Sequence, residues 1–180
     1  MPFSTKLSFS TLFHYFFTYF VASFNQKCDI CTVESAHFMQ ATGLANELKV
    51  SRNDISTYLL YMEKAGMIGQ LRDETGGMRG LGKTDKVYLD NPNLIYALSG
   101  DHANIGNIRE TFFYNQTRLT EDVITSKVSD FTIGKYTFEV GGAKKSHKQI
   151  KNVPHSYVVR DDVEYANGDI LPLWSFGLLY

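Results

Sequence analysis

The chain has 180 residues, enough for one large domain or two small ones and too few for a long multidomain enzyme. Hydrophobic residues make up 43% and charged residues 21%, a balance that folds around a core rather than staying disordered. The 18 Lys and Arg stand against 19 Asp and Glu, a formal net charge of −1, so any contact with nucleic acid must come from a local patch.

Residues 1–24 differ from everything after them: nine aromatics and one full charge, Lys6. Lys6, the apolar run Leu12 to Val21 and the small residues around Ala22 outline a secretory signal, and residues 7–24 are the one stretch that suggests a membrane. Ser8, Ser10, Thr11, His14 and Thr18 interrupt it, and its apolar content is aromatic where a span rests on Leu, Ile, Val and Ala. The expectation is therefore an aromatic leader over 1–36, either an amphipathic helix that docks on the fold or on a partner or a poorly ordered segment, with no membrane. Cys28 and Cys31 form a CxxC, but no second pair and no thioredoxin-like unit accompanies them; they read as incidental thiols.

From Leu44 two helical stripes appear, Leu44, Ala45 and Leu48, then Ile55, Tyr58, Leu59 and Met62. Ser51 and Asp54 form a capping box for the second, and Gly66 stops it. A strand from Met67-Ile68, a turn at Gly76-Gly77 and a return strand at Val87-Tyr88-Leu89 complete the order of a winged helix-turn-helix over 37–92. Its second helix offers Arg52, Asn53, Ser56 and Thr57 to bases or phosphates. Charge over 49–64 is nearly balanced, so protein contact fits this unit as well as DNA does.

Gly77 to Thr84 satisfies GxxxxGK[ST], the phosphate loop of nucleotide triphosphatases. That loop needs a helix starting at Lys83, whose N-terminus holds the phosphates. The residues after Thr84 read as a strand closed by Asn91-Pro92. The match is taken as the glycine-rich tip of the wing, and ATP is not expected.

Beyond Pro92 the chain reads as a short helix (Leu94 to Leu98), a helix carrying Glu110 with Ile108, Phe112 and Leu119 on one stripe, and strands at Val123 to Val128, Asp130 to Ile133 and Tyr136 to Val140. A helix over Lys144 to Lys151 and a strand at Tyr157 to Val159 follow. Helix, three strands, helix, strand is the order of a restriction-endonuclease-like (PD-(D/E)XK-like) α/β domain over 93–180, which makes the whole chain α+β. In such domains an acidic residue on the first helix, an Asp opening the second strand and an E-x-K on the third converge on a divalent metal. Glu110, Asp130 and Glu139 stand at those places; Asp130 and Glu139 are the expected Mg²⁺ ligands. The pattern departs at one position, since Gly141 stands where the lysine belongs, and Lys144 or Lys145 would have to reach in from the next segment. Residues 135–151 hold five lysines against Glu139 alone, and Lys148 and Lys151 extend this patch toward a phosphate backbone. Three readings stay open: a metal-dependent DNA nuclease, a degenerate nuclease-like fold that binds without cutting, or carboxylates that serve structure.

Residues 41–180 resemble the C-terminal region of predicted bacterial and archaeal AAA-type ATPases, a domain of unknown function. The resemblance is carried by Tyr58-Leu59-x-Tyr61-Met62-Glu63, Lys86-Val87-Tyr88-Leu89, Arg109-Glu110-Thr111-Phe112-Phe113, Asp130-Phe131, Phe138-Glu139-Val140-Gly141-Gly142, Asp161-Asp162-x-Glu164 and Leu171-Pro172-Leu173-Trp174-x-Phe176-Gly177. It implies an accessory region that contacts nucleic acid or a protein partner through the winged helix and a degenerate nuclease-like domain. The ATPase half is not in this chain, so the implied partners are DNA and a separate ATPase subunit. The implied location is the cytoplasm of a prokaryotic cell. The apolar segment 170–180 is too short to span a bilayer and is expected to pack on the core.

Overall fold

The computed structural model describes residues 51–74, 84–99, 103–146 and 148–179. The aromatic leader, Cys28 and Cys31, the first helix of the expected pair, the wing tip at 77–83 and the Arg52 side chain lie outside the described residues.

Helix α1, Arg52–Lys64, begins where the sequence places its cap. Asp54 N donates to Ser51 Oγ at 3.1 Å and Ser51 N donates back to Asp54 Oδ2 at 3.3 Å, which satisfies two of the amides a helix start leaves open. Its inward stripe is Ile55, Leu59 and Met62, each buried. The helix ends at Gly66, whose φ of 67° is the left-handed conformation that glycine adopts without strain. Strands β1, Ile68–Arg72, and β2, Thr84–Leu89, form an antiparallel hairpin. A strand thus begins at Thr84, as the reading of the glycine-rich match requires.

After Asn91 come α2, Pro92–Ser99, and α3, Ile105–Thr117. Asn104 caps α3 by accepting from Gly106 N at 2.8 Å and Asn107 N at 3.2 Å. Strands β3, Val123–Thr125, β4, Phe131–Ile133, and β5, Tyr136–Gly141, make an antiparallel meander with a two-residue turn at Gly134 and Lys135. Strand β6, Ser156–Arg160, runs parallel to β5, and β7, Ile170–Pro172, runs parallel to β6. A 3₁₀ helix, Leu173–Leu178, closes the described chain. The molecule is therefore α+β, with one mixed seven-stranded sheet in the order β2-β1-β3-β4-β5-β6-β7.

Strand β1 meets β3 at a single residue pair, Arg72 with Ile124, so the hairpin can swing round α3. Tyr88 on β2 lies 5.9 Å, ring to ring, from Phe131 on β4, although β1 and β3 stand between them in the sheet. Three steps across a flat sheet would span about 14 Å. The sheet therefore curls around α3, and Leu71, Tyr88, Phe113, Tyr114, Phe131 and Phe138 share one core.

Three expectations are corrected. The buried face of α3 is Glu110, Thr111, Phe113, Tyr114 and Thr117, whereas Ile108 and Phe112 are half-buried and Leu119 lies past the helix end, 62% exposed. Residues 144–146 and 148–151 form turns and irregular chain rather than a helix. Among the described residues there only Ile150 is buried, and Lys144, Lys145, Lys148 and Lys151 repel one another at helical spacings of three and four, so a helix would gain little and lose charge energy. The C-terminal segment divides: Leu173 is buried and Phe176 packs 4.7 Å from Phe113, while Trp174, Leu178 and Leu179 face outward.

Candidate functional site

Glu110 projects from the middle of α3, Asp130 immediately precedes β4, and Glu139 lies in β5. Pairing of Phe131 with Phe138 brings the start of β4 level with Glu139. There Asp130 Oδ2 accepts from Val140 N at 2.8 Å. Burial, followed by the negative charges of Glu110 and Glu139, raises Asp130 from 3.8 to about 6, against the pull of the Val140 amide and Lys145. The three carboxylates named from the sequence thus share one neighbourhood.

Lys145 supplies the cation. Its Nζ is 2.5 Å from Glu139 Oε1, and its stem crosses the face of Gly141 so closely that a Cβ there would lie 2.6 to 2.7 Å from its methylenes. The residue that replaces the motif lysine therefore leaves the space through which another lysine arrives. Burial pulls the Lys145 ammonium down; the hydrogen bond to Glu139 and the charges of Asp130, Glu139 and Glu110 outweigh it and hold its pKa above the usual lysine value. Lys144, the other candidate, is exposed.

Each outer carboxylate is held from a second side. Ser129 Oγ hydrogen-bonds Glu139 Oε2, so both oxygens of that fully buried side chain are engaged. Tyr88 Oη donates to Glu110 Oε2 at 2.9 Å, and Lys86 Nζ stands 3.8 Å from the same oxygen. Burial and the adjacent Glu110 charge push the Tyr88 phenol well above 10, so it remains a donor. Next to the site, Arg109 lies over Gly142 and pairs with Asp161 at 2.5 Å.

Lys86, Tyr88, Ser129 and Arg109 were not anticipated. Ser129 and Arg109 each adjoin a named carboxylate in the chain, which is a usable signal. Lys86 and Tyr88 belong to the hairpin and reach Glu110 only through the curl of the sheet. Of the residues expected to touch nucleic acid, Asn53, Ser56 and Thr57 are exposed on α1, with Thr57 Oγ1 donating to Asn53 O at 2.9 Å, and Lys148 and Lys151 are exposed between β5 and β6.

Three carboxylates are the kind of oxygen donors that suit a hard divalent cation with retained waters, and Lys145 is a charge beside them rather than a ligand. As the side chains stand, no three His, Cys, Asp or Glu groups among the described residues are spaced to hold a metal ion; Glu139 is paired with Lys145, and Glu110 lies near Lys86. Asp130 carries the charge that neither lysine neutralises directly, which is the electrostatic demand a cation would meet. No helix among the described residues is long and apolar enough to cross a membrane. Comparison with protein families, curated proteins and solved structures finds no match to this chain.

Proposed function

We propose that this chain acts on nucleic acid as a divalent-metal-dependent phosphodiesterase of restriction-endonuclease type, joined to a winged-helix unit built from α1 and the β1–β2 hairpin. One observation carries the reading: Lys145 crosses Gly141 to meet Glu139 beside Asp130 and Glu110, restoring from a shifted position the charge set that the motif lacks in sequence. The meander β3–β4–β5, with β6 parallel to β5 and α3 packed on it, supports the same fold assignment. Asp130 and Glu139 would hold the metal, with Glu110 beside them. When bound, Mg²⁺ supplies charge to the phosphodiester and acidifies an attacking water. Lys145 then neutralises charge developing on the phosphate, and Ser129 keeps Glu139 oriented.

A second reading is favoured by the engagement of both Glu139 oxygens in a side chain only 2% exposed. Under it the chain is a degenerate, non-cutting accessory region of an AAA-type ATPase system, binding DNA or a separate ATPase subunit.

The test is anisotropy of labelled duplex and single-stranded DNA across a salt series, with Mg²⁺, Mn²⁺ or EDTA, each sample then run on a denaturing gel. Metal-dependent cutting that Glu139→Ala abolishes and that Gly141→Ala lowers at least tenfold, by driving a Cβ into the Lys145 stem, establishes the hydrolytic reading. Salt-sensitive binding of DNA that stays intact establishes the second. Absence of binding at low salt overturns both nucleic-acid readings.

A further inference from the structure

We propose that Lys86, on hairpin strand β2, is a second substrate-facing cation of the carboxylate site. The inference rests on the hydrolytic reading and extends it to a residue in another part of the chain. Lys86 and Tyr88 are two apart on one strand, so their side chains leave the same face, and both converge on Glu110 Oε2, at 3.8 and 2.9 Å. The Lys86 side chain is only 15% exposed. A lysine on a hairpin strand would ordinarily extend its ammonium into water, and ordering that long stem costs rotamer freedom. Here it is drawn inward to a carboxylate that Tyr88 already orients.

The charges make the role specific. Of the three carboxylates, Glu110 faces Lys86, Glu139 faces Lys145, and Asp130 receives only the Val140 amide directly. A divalent cation held by these carboxylates competes with both ammonium groups for the same oxygens. Each lysine displaced in this way stands within reach of an anionic phosphate brought to the metal. Arg109, the other nearby cation, is bound to Asp161 and is not released by such an exchange. The site then has two lysines from separate elements, Lys145 from the loop after β5 and Lys86 from the hairpin.

The experiment uses the full chain with Lys86→Met and Lys86→Arg and two readouts that need no turnover. These are Mn²⁺ affinity by calorimetry and affinity for a fluorescein-labelled DNA oligonucleotide by anisotropy in Ca²⁺. Removing a positive charge near the cation should tighten Mn²⁺ binding in Lys86→Met by about three- to tenfold, and removing a phosphate contact should weaken DNA binding by about fivefold. Lys86→Arg should restore DNA affinity to within about twofold of wild type. Unchanged Mn²⁺ affinity, or tighter Mn²⁺ binding with unchanged DNA affinity, overturns the proposal, as does a parallel loss of both that tracks a lowered melting temperature in both variants. A wild-type chain that binds Mn²⁺ and DNA but leaves the DNA uncut overturns the hydrolytic reading alone, and the two affinities still decide the role of Lys86. A wild-type chain that binds no Mn²⁺ overturns both.

Discussion

Burial and the charges of Glu110 and Glu139 disfavour the ionised carboxylate of Asp130 in the folded chain. Its folded value of about 6 lies above the ordinary 3.8, so the folded state holds this proton more tightly than the unfolded state does. Stability therefore falls as pH rises from about 4 to about 6 and remains lower above that. An amide at this position carries no charge at any of these pH values. In EDTA, Asp130→Asn should match wild type in urea unfolding near pH 4 and exceed it by on the order of 2 kcal/mol near pH 7.5. Equal stabilities at pH 7.5 would show that the carboxylate is not under charge stress. A residue that weakens the fold while occupying the centre of a candidate site is the expected mark of function.

At the scale of elements, the interactions that were readable from the chain are local ones. The Ser51–Asp54 box spans three residues, and α1 begins there. Ser51→Ala should cost about 1 kcal/mol in urea unfolding without changing the core, because it strands amides at the helix start. Strands β5 and β6 were legible from their apolar residues, and Asp130 and Glu139 from their places at the opening of one strand and on the next. The inward face of α3 was not, because Glu110, Thr111 and Thr117 are polar residues buried against it, and periodicity counts only apolar ones. The lysine segment after β5 misled for the opposite reason: good helix formers without an apolar stripe have no surface to dock. Lys86 and Tyr88 depend on the curl of the sheet, a long-range property that no local spacing encodes.

For the molecule as a whole, residues before and after position 92 share one core. Leu71 and Tyr88 from the hairpin pack with Phe113, Phe131 and Phe138, and Tyr114 Oη donates to Gln70 O at 2.8 Å. The hairpin is tied in turn to α1, since Glu63 accepts from Gln70 N at 3.0 Å and from Arg72 at 2.6 Å. A fragment of residues 93–180 would lack Leu71 and Tyr88, and removal of large core side chains costs several kcal/mol each, comparable to the stability of a small domain. The fragment is expected to show no cooperative melt in calorimetry, whereas the full chain should melt the hairpin and the β3–β7 region in one transition. A fragment that melts cooperatively at the temperature of the full chain would refute the shared core.

The far margin of the sheet has a consequence for behaviour at high concentration. Within β7 the outward groups alternate, and Ile170 spends both of its own on Asn167, donating at 3.0 Å and accepting at 2.9 Å, as the chain turns back through Gly168. The next outward position is Pro172, which has no amide hydrogen to offer. Strand β7 therefore presents no free donor to an incoming strand, and edge-to-edge pairing of one molecule's sheet with another's, a route to fibrous aggregates, is disfavoured on that side.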